Sequence, residues 1–196
     1  MPGTDFYCGG EYSFGNGELE SGLYQEKNSR TGENRMFRFF NIEDLRSIVS
    51  CPEKTILVCH VPRKFDNLEA CIDMAEFGEV EQSFSIEGHK FPKNSVVPYG
   101  FAVQLVNAGA PIKIKKENRG NKDLKKLYEE LGIKYAVSGH FHESSHRAND
   151  SLGNPVNEEE IVPELFWNSG YCDSGDCGIL TVSIEGVSYK NIKLRK

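Results

Sequence analysis

The sequence holds no run approaching the roughly 18 apolar residues needed to cross a bilayer. Its opening, MPGTDFYCGGEYSFGNGE, has neither the basic start nor the apolar stretch of a secretory signal. These absences argue against a membrane partner and predict a cytoplasmic protein. Basic charge is also short: 23 Lys and Arg stand against 29 Asp and Glu, a net charge of −6. That removes the electrostatic footprint of a nucleic-acid binder and sets DNA and RNA aside as bulk partners. There is no internal repeat and no low-complexity tract. Six scattered cysteines in a chain without secretory features predict reduced thiols, and the Cys172–Cys177 spacing in CDSGDC is wider than that of a zinc ribbon or thioredoxin-like motif.

What is present fits a globular chain. At 196 residues, with 38% hydrophobic and 27% charged, one domain over 1–196 with a substantial core is expected. The first 35 residues, rich in Gly, Ser, Asn and Glu, read as loops around at most one short strand. MFRFF (36–40) predicts a strand, and NIEDLRSIVS (41–50) a helix capped by Asn41. TILVCHV (55–61), nearly continuous in β-formers, predicts a strand buried on both faces inside a sheet. DNLEACIDMAEFG (66–78) places Leu68, Cys71, Ile72 and Ala75 at helical spacing, with Gly78 as a stop. EVEQSFSI reads as a strand, and YGFAVQLVNAG as an apolar element of either type. NKDLKKLYEELG (121–132) is an amphipathic helix closed by Gly132, and IKYAVSG a buried strand after it. ELFWNSG, CGILTVSIEG and VSYKNIKL predict strands, the last two forming a hairpin about Glu185-Gly186.

Histidine is scarce, five residues in all, yet two of the buried strands run into it. TILVCH ends in His60, and YAVSGHFHE carries His140 and His142. The carboxyl ends of strands in open α/β sheets are where ligands bind, and neutral imidazole is the commonest metal ligand. Three such rings facing one crevice predict a first shell for zinc, manganese or iron. Gly139 is expected to provide the sharp turn that aims both rings. Taken alone, His60 reads more readily as a hydrogen-bonded turn residue than as a ligand. His89 and His146, in polar loops, read as solvated surface residues, and so does Arg63, the alternative being a phosphate contact.

VCHVPRKF, followed by LYEELGIKYAVSGHFHES, resembles the later motifs of the calcineurin-like metallophosphoesterases: a strand ending in His before a small-residue or proline stretch, then Gly-His-x-His after a helix and strand. FWNSGYCDSGDCGILTVSIEGVSYKNIKL is similar to that family's Asn-Pro-Gly-Ser-like turn and closing hairpin, with Ser169 in the proline position. The resemblance covers residues 50 to 196. It implies an α/β fold with central mixed β-sheets and flanking helices, an αββα sandwich lacking its N-terminal strands.

The resemblance further implies hydrolysis of a phosphate mono- or diester, on a small molecule or another phosphorylated substrate. In the family two divalent metals (Mn, Zn or Fe), about 3.5–4 Å apart, share a hydroxide that attacks phosphorus. Carried over by position, His60 and His140 bind one metal and His142 the other. The family's earlier Asp-x-His, Gly-Asp and Gly-Asn-His motifs do not occur upstream of His60; MPGTDF, with Thr4 in the asparagine position, is the nearest segment. Asp5, Asp66 and Asp150 are candidates to replace the missing carboxylates. A chain short of its first strands is expected to pair with a second copy or with a complementing N-terminal chain. The alternative expectation is a non-catalytic descendant that serves as a binding or interaction module.

Overall fold

A computed structural model of the chain describes residues 5–8, 13–14, 17–18, 22–27, 32–40 and 45–194. It shows a mixed α/β fold with several sheets and few helices. The first segments are β1 (Asp5–Cys8), β2 (Ser13–Phe14), β3 (Gly17–Glu18), β4 (Gly22–Lys27) and β5 (Asn34–Phe40). Strand β5 pairs with β1 in parallel and with β4 antiparallel. The front of the chain is therefore richer in strand than its Gly- and Ser-rich composition suggests. MFRFF falls within β5. Of the helix expected over 41–50, only α1 (Leu45–Ile48) is seen, and Asn41 lies outside the described residues.

The sheet that carries His60 and His140 at its strand ends has the order β13-β14-β12-β6, built from β6 (Ile56–Val58), β12 (Tyr135–Ser138), β13 (Ala148–Asn149) and β14 (Leu165–Asn168). Strand β12 runs parallel to both β6 and β14. Its two faces have different covers because side chains alternate along a strand. Leu57, Ala136 and Phe166, in register across the sheet, pack under α3 (Lys122–Leu131) against Leu124, Leu127 and Tyr128. Helix α3 follows its sequence closely. Asn121 Oδ1 accepts from the amides of Asp123 (2.8 Å) and Leu124 (2.9 Å), and Gly132 closes the last turn at φ 71°. On the opposite face Tyr135, Val137, Leu165 and Trp167 meet Val187 and Tyr189 of the hairpin β15 (Asp176–Val182) and β16 (Val187–Lys193). Trp167 lies so close to β15 that a Cβ on Gly178 would come within 2.3 Å of its Cζ2, so glycine is required there.

The expectation that 55–61 is an interior strand is overturned among the described residues. Strand β6 is the edge of its sheet, and Val58 is 80% exposed. The helix expected over 66–78 is also absent. Residues 66–73 form turns, and β7 (Met74–Val80) begins immediately after them, in the centre of a sheet of order β10-β7-β11. Its partners are β10 (Val96–Pro98) and β11 (Ile112–Asn118), both antiparallel, with β8 (Phe84–Ile86) and β9 (His89–Phe91) forming a separate hairpin. Gly78 is not a helix stop but a crossing point: a Cβ there would approach Ala102 of α2 (Tyr99–Asn107) to 2.4 Å. The YGFAVQLVNAG element is this helix.

Candidate metal centre

Backbone pairing between β6 and β12 continues past both strands. The Cys59 amide donates to Val137 O and the Gly139 amide to His60 O, each at 3.0 Å. These two rungs set His60 and His140 side by side at the carboxyl end of adjacent parallel strands. His60 Nε2 and His140 Nδ1 are 3.0 Å apart, with the rings edge to face at a centroid distance of 4.9 Å. Both residues are exposed.

The turn that presents His140 is not the one the sequence suggested. Gly139 has an ordinary backbone conformation, and the left-handed angle falls on His140 itself, at φ 67°. The Phe141 amide donates to Gly139 O at 2.8 Å across it. A three-residue ring closed in this way around a positive φ is the rare γ-turn, a strained backbone form. Conformations of this kind cost on the order of 1–3 kcal/mol and persist only where the surroundings hold them.

Two anchors supply that hold. On one side Phe141 is buried against Ala75 and Phe77 of β7, and Ser144 Oγ donates to Met74 O at 2.7 Å. On the other, Asn168 at the end of β14 is 1% exposed, and its amide nitrogen donates to Phe141 O at 2.9 Å and to Gly139 O at 3.4 Å. Its Oδ1 accepts from the Gly170 amide at 3.1 Å. Asn168 is the asparagine of the Asn-Pro-Gly-Ser-like turn, and sequence reasoning does not single it out as a site residue; its signal is its place closing the apolar run LFW directly before Ser-Gly.

Desolvation, together with the neighbouring His60 and His142, holds the His140 imidazole below the usual histidine range. The residue retains solvent access, so this shift carries little stability weight. It does favour the neutral ring, which is the form that binds metal. Two ligand nitrogens on a tetrahedral zinc, each about 2.0–2.1 Å from the metal, lie about 3.3 Å apart. The observed 3.0 Å is a hydrogen bond in which one ring nitrogen donates to the other, so a shared metal would have to replace that bond, with the proton moved to another ring nitrogen and the rings parted by a few tenths of an ångström.

His142 goes elsewhere. It opens a short 3-10 turn, His142–Ser144, and its ring stacks on Tyr171 at 4.0 Å and 18° between planes. Among the described residues no group of three or more His, Cys, Asp or Glu side chains is placed to share a metal. Asp66 pairs with Lys125 at 3.1 Å. Asp150 is taken up in its own turn, where Oδ1 accepts from the Leu152 and Asn154 amides, both at 2.9 Å. The Asp5 side chain lies outside the described residues.

Two loop residues read as solvated are not. His146 is half-buried at φ 68°, with Nε2 3.9 Å from Asp176 Oδ1. Arg63 is 3% exposed: its guanidinium lies 4.7 Å from the ring centroid of Phe65 and 5.1 Å from that of Phe166, and Nη2 donates to Glu129 at 3.0 Å. It belongs to the core under α3 and is not a phosphate contact of the histidine pair. His89 is exposed on β9. Cys51, Cys59, Cys71, Cys172 and Cys177 are free thiols. No family model matches the chain, and no curated protein or solved structure matches it either.

Proposed function

We propose that this chain is a metal-dependent phosphoesterase of the calcineurin-like type, with His60 and His140 holding one divalent metal (Mn, Zn or Fe) and His142 belonging to a second. On this reading the sheet β13-β14-β12-β6 is part of an αββα sandwich, and the carboxylate ligands come from outside the described residues or from another chain. The observation that carries it is the pair of ring nitrogens 3.0 Å apart at the ends of two parallel strands, one of them on a strained γ-turn. A positive φ occurs at Glu87, Asn94, His146 and Glu159 as well; what supports the metal reading at His140 is its coincidence with a γ-turn and a second imidazole at the end of the neighbouring strand.

A bound metal would lower the pKa of a coordinated water and neutralise charge on the phosphoryl oxygens. The chain's own residues have simpler tasks. The Gly139–His60 backbone bond fixes the position of the His60 loop, the γ-turn aims His140, and partial desolvation keeps His140 neutral near pH 7.

The test is hydrolysis of a generic aryl phosphate by the full chain with Mn²⁺ or Zn²⁺, comparing wild type with His60→Ala and His140→Ala. Metal-dependent turnover lost in both variants is expected. Turnover equal in wild type and both variants would overturn the site assignment. The stacking of His142 on Tyr171 favours a second reading, a binding or interaction module in which His142 has a packing role. That reading predicts no turnover with any divalent metal.

A further inference from the structure

We propose that Asn168 is a positioning residue for the His140 metal ligand, an assignment that rests on the metal-binding reading of His60 and His140. Its carboxamide spans the γ-turn on which His140 stands. One Nδ2 group donates to the carbonyls on both sides of that histidine, Phe141 O at 2.9 Å and Gly139 O at 3.4 Å. Gly139 O precedes the turn and Phe141 O follows it, so this single donor ties together the two ends of the segment that carries His140 at φ 67°.

The asparagine is in turn fixed. It is 1% exposed, its Oδ1 accepts from the Gly170 amide, and its backbone is tied at both groups: the Asn168 amide donates to Arg147 O and the His146 amide donates to Asn168 O, each at 2.9 Å. The Ser169 amide then donates to Ser138 O at 3.1 Å, joining β14 to the strand that leads into the loop. The end of β14 therefore grips the ligand loop, and the rigidity of a buried strand is passed to an exposed ring. Groups that orient a metal ligand in this way typically contribute about 10–100-fold to metal affinity.

Asn168→Asp is the decisive substitution, since it keeps the size and the acceptor but puts an oxygen where the two carbonyls require a donor. Zinc affinity, measured by competition with a chromophoric chelator, should fall about 10–100-fold. In metal-free protein the ring ¹⁵N signals of His140 and His60 should shift, while those of His89 stay in place. A variant that melts earlier yet binds zinc like wild type, with unchanged His140 signals, would overturn the proposal. If wild type binds no zinc, the metal reading fails by itself, and the ring signals still decide whether Asn168 positions His140. If Asn168→Asp does not fold, the scalar coupling from the Asn168 side-chain amide to the Phe141 carbonyl in wild type decides: its presence supports the clamp and its absence overturns it.

Discussion

Asp73 and His140 both stand where the chain turns at a strand end, and they are used in opposite ways. Asp73, fully buried, accepts from the Phe65 amide (2.9 Å), the Gly120 amide (3.1 Å) and Asn118 Nδ2 (2.7 Å). One carboxylate thus ties two distant segments, at Phe65 and at 118–120, to the start of β7. His140 is exposed, strained at φ 67°, and partnered through its ring by His60. At Asp73 hydrogen bonds are concentrated to hold the chain. At His140 they are concentrated in the backbone around the residue, by Asn168, so that the ring is held facing His60. A buried polar group with every oxygen engaged reads as architecture, whereas strain under an exposed ligand-type ring is what motivates the proposed metal site.

The contrast breaks most visibly at Asp73. Asp73→Ala leaves two amides and the Asn118 side chain without their acceptor, and should cost on the order of 3–5 kcal/mol by urea unfolding. A cost under about 1 kcal/mol would mean the junction is redundant. At His140 the sign reverses: His140→Gly removes the penalty of a side chain at positive φ and should stabilise the fold by about 1 kcal/mol while abolishing metal binding. Marked destabilisation would show the ring to be structural. His142→Ala loses only a stacking contact and should cost about 0.5–1.5 kcal/mol, with little effect on the affinity of the His60–His140 pair for zinc.

The smallest effects are in pH. The buried Tyr189 phenol, which donates to Val156 O at 2.7 Å, is pushed up to about 12, mainly by desolvation. It is neutral in the fold and ionises earlier once unfolded, so its contribution is complete below about pH 10 and is lost as pH rises toward 12. Urea midpoints should decline over that window, and Tyr189→Phe should flatten the decline. His140 responds at the other end. Its lowered pKa means that the unfolded chain takes up protons first, so stability slips as pH falls below about 6.5, only slightly for so exposed a ring. Loss of that slope in His140→Gly is the check.

Where local signals agreed with packing, the sequence was easy to read. The Leu124–Leu127–Tyr128 stripe and Gly132 defined α3 on their own, and the strand of 135–138 with the last two strands followed from β-formers and a turn at Glu185-Gly186. Residues 66–78 misled because Leu68, Cys71, Ile72 and Ala75 fit a helical stripe. In the fold Asp73 captures backbone amides from distant segments, and Met74–Val80 is buried on both sides between two strands, a pattern that no local periodicity reveals. Gly78 looked like a cap for the same reason: its function is to admit Ala102 of a helix far along the chain. The histidine pair was visible as a spacing, whereas the γ-turn and the Asn168 clamp depend on β14 lying beside β12, which only the tertiary structure states.

The most direct test of the central claim, that His60 and His140 form one metal-binding pair, is calorimetric titration of the full chain with Zn²⁺ and Mn²⁺ at neutral pH, in wild type and in His60→Ala, His140→Ala and His142→Ala. One metal should bind per chain at the pair, with binding lost in either of the first two variants and kept in the third. Absence of binding in wild type, or binding unchanged in both His60→Ala and His140→Ala, would contradict it.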